Sequence, residues 1–142
     1  MLTTERIDSA AQQQEAFRVR MEVFVKEQGV PAEIEIDEHE KEASHVLIRY
    51  NDYAIGTGRI RAVDGIAKLE RVCVLPAYRM VKAGAAIMRE LERIASEKGL
   101  KQAKLHAQTH AAAFYEKQGY SIVSDVFLEE NIPHVKMVKQ LR

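Results

Sequence analysis

Residues 69–88 read Leu69-Glu-Arg-Val-Cys-Val-Leu-Pro-Ala-Tyr-Arg79-Met-Val-Lys-Ala-Gly84-Ala-Ala-Ile-Met88, a strand that runs through a short turn into a helix. Leu69 to Leu75 alternates and is rich in valine, the pattern of a buried strand. Pro76 stops the ladder because it has no N–H to give. From Ala83 the apolar residues fall at Ile87, Leu91, Ile94 and Ala95, with Arg89, Glu90, Glu92 and Arg93 largely off that stripe. A strand feeding a helix N-terminus through small residues makes an anion site, since the first helical N–H groups have no intrahelical partner and the macrodipole favours negative charge there. The segment is therefore expected to hold a phosphate-bearing ligand.

Working outward, residues 2–7 read as a first strand, and residues 11–25 as a helix with Ala16, Val19, Arg20 and Val23 near one face. Gly29 and Pro31 punctuate a loop that runs into the acidic stretch Glu33, Glu35, Asp37, Glu38, Glu40 and Glu42. Ser44 to Tyr50 and Tyr53 to Ala62 form a hairpin about Asn51-Asp52, and Asp64-Gly65 turns the chain into the strand at 67–75. Gly99 ends the helix of 83–98. A strand at 101–108, a helix at about 110–118 ending at Gly119, and strands near 120–128 and 134–140 complete the chain. This order predicts an α/β (α+β) fold: a mixed, mostly antiparallel central sheet with helices on both faces, in one domain spanning 1–142.

Composition narrows the function classes. The 142 residues are 46% hydrophobic and 30% charged, which is ordinary for a globular protein with a real core. With 21 basic and 21 acidic residues the net charge is zero, which argues against nucleic acid as a partner. No apolar run approaches the roughly 20 residues of a membrane span, so no membrane partner is expected. The N-terminus lacks a signal-peptide layout, and the single cysteine, Cys73, excludes an intrachain disulfide. A cytoplasmic location is the expectation, and a homodimer is left open.

Two phosphate-binding patterns fail on the opening segment. A nucleotide P-loop needs two fixed glycines followed by Lys-Ser or Lys-Thr, but here Lys82 precedes the single Gly84. The dinucleotide fingerprint needs three glycines at fixed spacing and a later acid. What Arg79-Met80-Val81-Lys82-Ala83-Gly84 does resemble is the Arg/Gln-x-x-Gly-x-Gly/Ala signature of the GNAT superfamily of acetyl-CoA-dependent N-acetyltransferases. Ala112-Ala113-Phe114-Tyr115-Glu116-Lys117-Gln118-Gly119-Tyr120 is similar to that family's second signature, A-x-F-Y-x-K-x-G-F/Y. The order of elements fits along nearly the whole chain. Arg18, Val23-Phe24-Val25, Glu27-Gln28 and Gly56-x-Gly58-Arg59 resemble a small bacterial branch with mostly unassigned acceptors. Lys82 departs from the pattern: a side chain at the glycine position either obstructs the backbone's approach to a pyrophosphate or adds a cation beside it.

The resemblance implies acetyl-CoA as cosubstrate, no metal, and an acceptor that is a small-molecule amine or an exposed protein amine. It implies an acetyl transfer by direct attack in a ternary complex; the rival is a non-catalytic module of the same fold that binds acyl-CoA or a protein. Cofactor contacts would come from Val72, Cys73 and Val74 on one of two splayed strands, and from Arg79, Val81, Lys82, Ala83, Gly84 and Ala85. An N–H near Val74 would polarise the thioester carbonyl. Tyr115 is the candidate general acid for the departing thiolate, although ordinary values of about 10 for a phenol and 8.5 for a thiol make that transfer uphill by about 2 kcal/mol. Glu70 is a candidate base, with a salt bridge to Arg59 or Arg61 as the alternative; His106 and His134 are further candidates. Glu27, Gln28, Asp37, Arg59 and Gln108 would line the acceptor pocket by resemblance to the branch. The His106/His110 spacing suits a metal only within one helix, which this segment does not offer.

Overall fold

The computed structural model describes residues 1–79 and 82–141. Eight strands form one sheet in the order β1-β2-β3-β4-β5-β8-β6, with β7 also paired to β8. The strands are β1 (Leu2–Arg6), β2 (Ser44–Tyr50), β3 (Tyr53–Val63), β4 (Ile66–Val74), β5 (Gln102–Gln108), β6 (Ser121–Ile122), β7 (Phe127–Glu129) and β8 (Ile132–Gln140). Every pairing is antiparallel except β4 with β5. The expected mixed, mostly antiparallel sheet is the one observed. Three tight turns carry left-handed pairs, Asn51-Asp52, Asp64-Gly65 and Glu130-Asn131. Such pairs match the twist of the strands they join. The strand expected near 120–128 is instead two, β6 and β7, interrupted at 123–126, and the third turn joins β7 to β8.

Helix α1 (Ala10–Arg20) starts at a capping box, in which the Ser9 hydroxyl accepts from the Gln12 N–H and the Gln12 side chain reaches back to the Ser9 N–H. The chain then widens into a π-helical segment, Met21–Glu27, where the Gln28 N–H reaches the Val23 carbonyl at 3.1 Å. Wide turns of this kind gather at functional sites. After the short α2 (Ala32–Glu35), helix α3 (Ala83–Glu97) crosses one face of the sheet, burying Ala83, Ile87, Met88, Leu91, Ile94 and Ala95 against Ile48, Ile55, Ile60 and Leu69. Helix α1, through Ala16 and Val19, and the π-helical segment, through Val23, cover the other face and pack with Leu47, Ala54 and Cys73. Helix α4 (Ala112–Lys117) lies on the α3 side, with Phe114 and Tyr115 packed against the core there.

Two glycines set how closely α3 approaches the sheet. A Cβ on Gly58 would stand 2.8 Å from Ile87 and 3.0 Å from Leu91, closer than real side-chain carbons come. One on Gly56 would stand 2.8 Å from Ile48 and 3.0 Å from the Cys73 carbonyl oxygen. The Gly56-x-Gly58 pair is therefore a packing requirement of this helix on this strand. No described helix is long and apolar enough to cross a membrane.

Candidate active site

The site begins with a fault in β4. Thr57 faces Cys73 and Arg59 faces Glu70, so Gly58 alone opposes both Arg71 and Val72. Arg71 absorbs the extra residue by taking a left-handed conformation, φ 57°. The bulge turns the strand, and the parallel pairing of β4 with β5 covers only Ala67/Ala103 and Lys68/Lys104. Beyond those pairs the two strands part.

Backbone alternation says which groups face the gap. Leu75 donates its N–H to the Ile55 carbonyl on β3, at 2.8 Å. Val74 therefore points its N–H and C=O toward β5, and Val72 shares that direction, whereas Cys73 faces β3. The Val74 carbonyl accepts from Arg79 Nε at 3.0 Å. Its N–H has no ladder partner among the described residues. Of the three β4 residues expected to serve a cofactor, Val72 and Val74 present backbone to the gap, and Cys73 spends its groups on the sheet. The Cys73 thiol is buried on the α1 side; burial, with the nearby Glu35 carboxylate, pushes its ionisation well above that of an ordinary thiol.

From the gap the chain reaches α3. Lys82 precedes the helix at φ 62° and ψ 23°, a left-handed conformation, and among the described residues no side chain caps the N–H groups of the first turn, which includes Ala83, Gly84 and Ala85. The lysine thus adopts the backbone geometry that a glycine supplies without strain. Gly84 has a second constraint: a Cβ there would stand 3.0 Å from Phe114 Cζ. Phe114 packs edge-on to Tyr115 at 5.0 Å, so the helix start, the aromatic pair and the sheet are in one continuous contact. The Tyr115 hydroxyl has no hydrogen-bond partner among the described residues. Burial, and to a smaller extent the Cys73 site, pushes its phenol upward, so the group stays protonated at neutral pH. Val81, also expected at the cofactor, lies outside the described residues.

A strap of side chains crosses the mouth of the gap. Glu27 ends the π-helical segment and takes both Nη atoms of Arg79, at 2.6 and 2.8 Å. Its carboxyl is held below the ordinary range by that hydrogen-bonded guanidinium. The next residue, Gln28, accepts from Gln108 Nε2 at 2.7 Å, and Gln108 Oε1 contacts His110 Nε2 at 2.6 Å. Adjacent residues of one helical end are thus tied to the end of β4 and to the end of β5. The structure brings Arg79, expected at the cofactor, beside Glu27, and Gln28 beside Gln108; Arg79 points at Glu27 and the Val74 carbonyl.

Asp37, Arg59 and Glu70 go elsewhere, into a charge lock under the acidic loop. Arg59 is 1% exposed. It binds Asp37 with both Nη atoms at 2.8 and 2.9 Å, Glu40 at 2.9 Å and Glu70 through Nε at 3.1 Å. Arg71 from the bulge reaches Glu35 at 2.8 Å, and buried Arg20 reaches Glu35 at 2.6 Å and Glu40 at 2.7 Å. Arg59, expected at the acceptor pocket, is enclosed by these carboxylates, and Asp37, expected there too, is committed to Arg59 and Arg71. Glu70 also takes Arg61 Nε at 2.9 Å and Lys68 at 3.2 Å. Burial alone would raise its carboxyl, but the Arg61 hydrogen bond and the Arg59 and Lys68 charges outweigh it and hold it at about 2. This is the ion pair offered by the sequence as the alternative to a base. Only the spacing of like charges hinted at the lock; its partners are up to 36 residues apart.

His106 and His134 lie on the face of β5 and β8 away from α3. His106 Nδ1 meets Glu129 Oε1 at 2.8 Å, the ring of Phe127 stands edge-on to His106 at 5.1 Å, and His134 Nδ1 donates to the Ile132 carbonyl at 2.7 Å. No cluster of three or more His, Cys, Asp or Glu suited to a metal occurs among the described residues. Two surface hollows of about 450 and 800 Å³ lie at the β1 edge, and neither includes Val74, Gly84 or Tyr115.

Comparison with known proteins agrees with this geometry. The family model of the acetyltransferase (GNAT) domain matches residues 7–141. The uncharacterized N-acetyltransferase YjcF of Bacillus subtilis is 48% identical over 129 residues, covering 90% of this chain and 92% of its own. Among solved structures, Escherichia coli ElaA superposes with a TM-score of 0.85 at 29% identity, over 96% of this chain and 99% of that one. An acyl-CoA N-acyltransferase from Pseudomonas aeruginosa superposes with a TM-score of 0.84 at 25% identity, over 98% and 99%.

Proposed function

Since the chain belongs to the GNAT acetyltransferase family, we propose that it moves an acetyl group from acetyl-CoA to a primary amine by direct attack within a ternary complex. The observation that carries this reading is the parted β4 and β5, with the Val74 N–H open to the gap and an uncapped α3 N-terminus at its end. An extended thioester-bearing arm fits between the strands. The Val74 N–H, fixed before the reaction, is aimed where the carbonyl oxygen gains charge during attack. Phosphates fit the α3 N-terminus, where Ala83, Gly84 and Ala85 offer N–H groups and Lys82 a cation.

The amine nitrogen forms its bond to the carbonyl carbon, the C–S bond breaks, and the thiolate acquires a proton. Tyr115 is the proposed donor. Its raised phenol is a weak acid, so it first hydrogen-bonds the sulfur and yields its proton only as charge builds there. Cys73 is kept neutral by burial and supports no acyl-enzyme step, which favours direct transfer. Glu70, caged by cations, is assigned to holding the bulge rather than to accepting the amine proton. Glu27, Gln28 and Gln108 border the approach of the acceptor, a small-molecule amine or an exposed protein amine.

Calorimetry with acetyl-CoA tests the first half, with a Kd at micromolar levels or tighter expected; absence of binding at millimolar concentration would overturn the reading. Thiol release from acetyl-CoA across a panel of primary amines (lysine, spermidine, tyramine) tests the second half. Binding without release for any amine would leave an acyl-CoA-binding module.

A further inference from the structure

We propose that His106, oriented by Glu129, is the general base that takes a proton from the acceptor amine; this rests on the acetyl-transfer reading above. The reaction requires such a group. An amine of the lysine type has a pKa of about 10.4 and arrives as ammonium, and forming an amide from ammonium releases two protons from nitrogen. One leaves to solvent before attack. The second must leave as the N–C bond forms, and a positioned acceptor lowers that barrier.

The carboxylates at the gap are unsuited to it. Both Glu70 oxygens face cations and its carboxyl sits at about 2. Glu27 gives both oxygens to Arg79. His106 is placed differently. It lies two residues past Lys104, the last β5 residue paired with β4, and so borders the parted strands on the side away from α3. Its neighbours Leu105 and Ala107 face the α3 core, and strand alternation turns His106 to the acceptor side with Lys104 and Gln108.

The ring is also prepared for the task. A carboxylate oxygen can only accept, so the 2.8 Å contact makes Nδ1 the donor to Glu129. In neutral imidazole that leaves the Nε2 lone pair free, and Nε2 has no partner among the described residues. Glu129 holds the tautomer and stabilises the imidazolium formed when Nε2 takes the proton, the logic by which a buried carboxylate supports a catalytic histidine. Phe127, edge-on at 5.1 Å, restricts ring rotation. The charged and titratable groups around the pair are Lys68 on β4, Lys104 on the same face of β5, and His134 and Lys136 on β8, with His134 Nε2 3.8 Å from Glu129 Oε2. Lys68 lies close enough to help hold Glu129 ionised. Proton balance then closes: His106 takes the second nitrogen proton, Tyr115 supplies the thiolate, and the imidazolium and tyrosinate return to neutral through solvent.

Two measurements test this. Long-range ¹H–¹⁵N correlation spectra of the full chain should show His106 protonated on Nδ1 when neutral, with that preference lost in Glu129→Gln. A neutral ring protonated on Nε2 overturns the proposal, whether or not any amine in the panel is turned over. In the kinetic arm, His106→Ala should bind acetyl-CoA within about twofold of wild type and lose about a hundredfold in turnover at pH 7. Added imidazole should restore part of the rate. A His106→Ala enzyme with wild-type turnover across the pH range overturns the base assignment alone, whereas wild-type protein that binds no acetyl-CoA overturns the transferase reading beneath it.

Discussion

Replacing Glu70 by glutamine separates a base from a brace. Glu70 keeps 12% of its side chain exposed and touches Arg59, Arg61 and Lys68. Folding lowers its carboxyl from 4.5 to about 2, which at about 1.4 kcal/mol per tenfold corresponds to about 3 kcal/mol. Solvent screening at a partly exposed group reduces the expected loss to about 2 kcal/mol. For a chain of this size that is a fall in Tm of about 8 °C. The pH dependence has a definite sign. A carboxylate held below its unfolded value contributes fully above about 4.5 and loses the contribution as the pH falls toward about 2. Denaturant titrations should therefore show Glu70→Gln weaker than wild type at pH 7, with the gap closing between pH 4.5 and 2. Turnover per folded molecule should change by less than about threefold. A variant of unchanged stability at pH 7 that loses a hundredfold in turnover would refute the ion-pair reasoning and restore Glu70 as the base.

Other expectations follow from the same geometry. Tyr115→Phe should lower kcat about 10- to 100-fold with little change in the KM for acetyl-CoA, and steady-state kinetics with no loss would remove the phenol from the reaction. Lys82→Gly should weaken acetyl-CoA binding about three- to tenfold in calorimetry at low salt, with the difference shrinking at high salt; unchanged affinity would mean the lysine does not face the phosphates. Gly84→Ala forces Phe114 to yield by a few tenths of an ångström, so it should cost about 1 to 3 kcal/mol in urea titrations and also lower turnover through Tyr115. Gly58→Ala meets α3 at Ile87 and Leu91 and should destabilise similarly without that effect on turnover beyond lost fold.

Local patterns carried the fold. The valine alternation of β4, the Asn51-Asp52 and Asp64-Gly65 turns and the stripe along α3 each follow from spacings within about a dozen residues, and each is seen. The π-helical segment was not legible, because its change of winding leaves the apolar face formed by Ala16, Val19 and Val23 intact. The Ser9/Gln12 capping box was visible in principle as Ser-x-x-Gln. At the site, resemblance could name Tyr115 and the Gly84 loop, but partner choice among charges depends on contacts distant in sequence. Arg59 and Glu70 each had several candidate partners, and the fold decided between them. The sequence offers His106 and His134 as equal candidates, since Glu129, which meets His106 Nδ1, lies 23 positions away.

The bulge at Arg71 can also be viewed as an insertion. Leu69 before it and Val72 and Val74 after it all face α3, so the surplus residue leaves the inward and outward alternation of β4 unchanged. A chain lacking position 71 would keep every neighbouring side chain on its present face, and its fourth and fifth strands would be free to zip together along their full length. The result would be a more regular protein with no cleft. Separated from the loops that dress it, the opening in this sheet amounts to a single residue of extra length, acquired or lost in one codon.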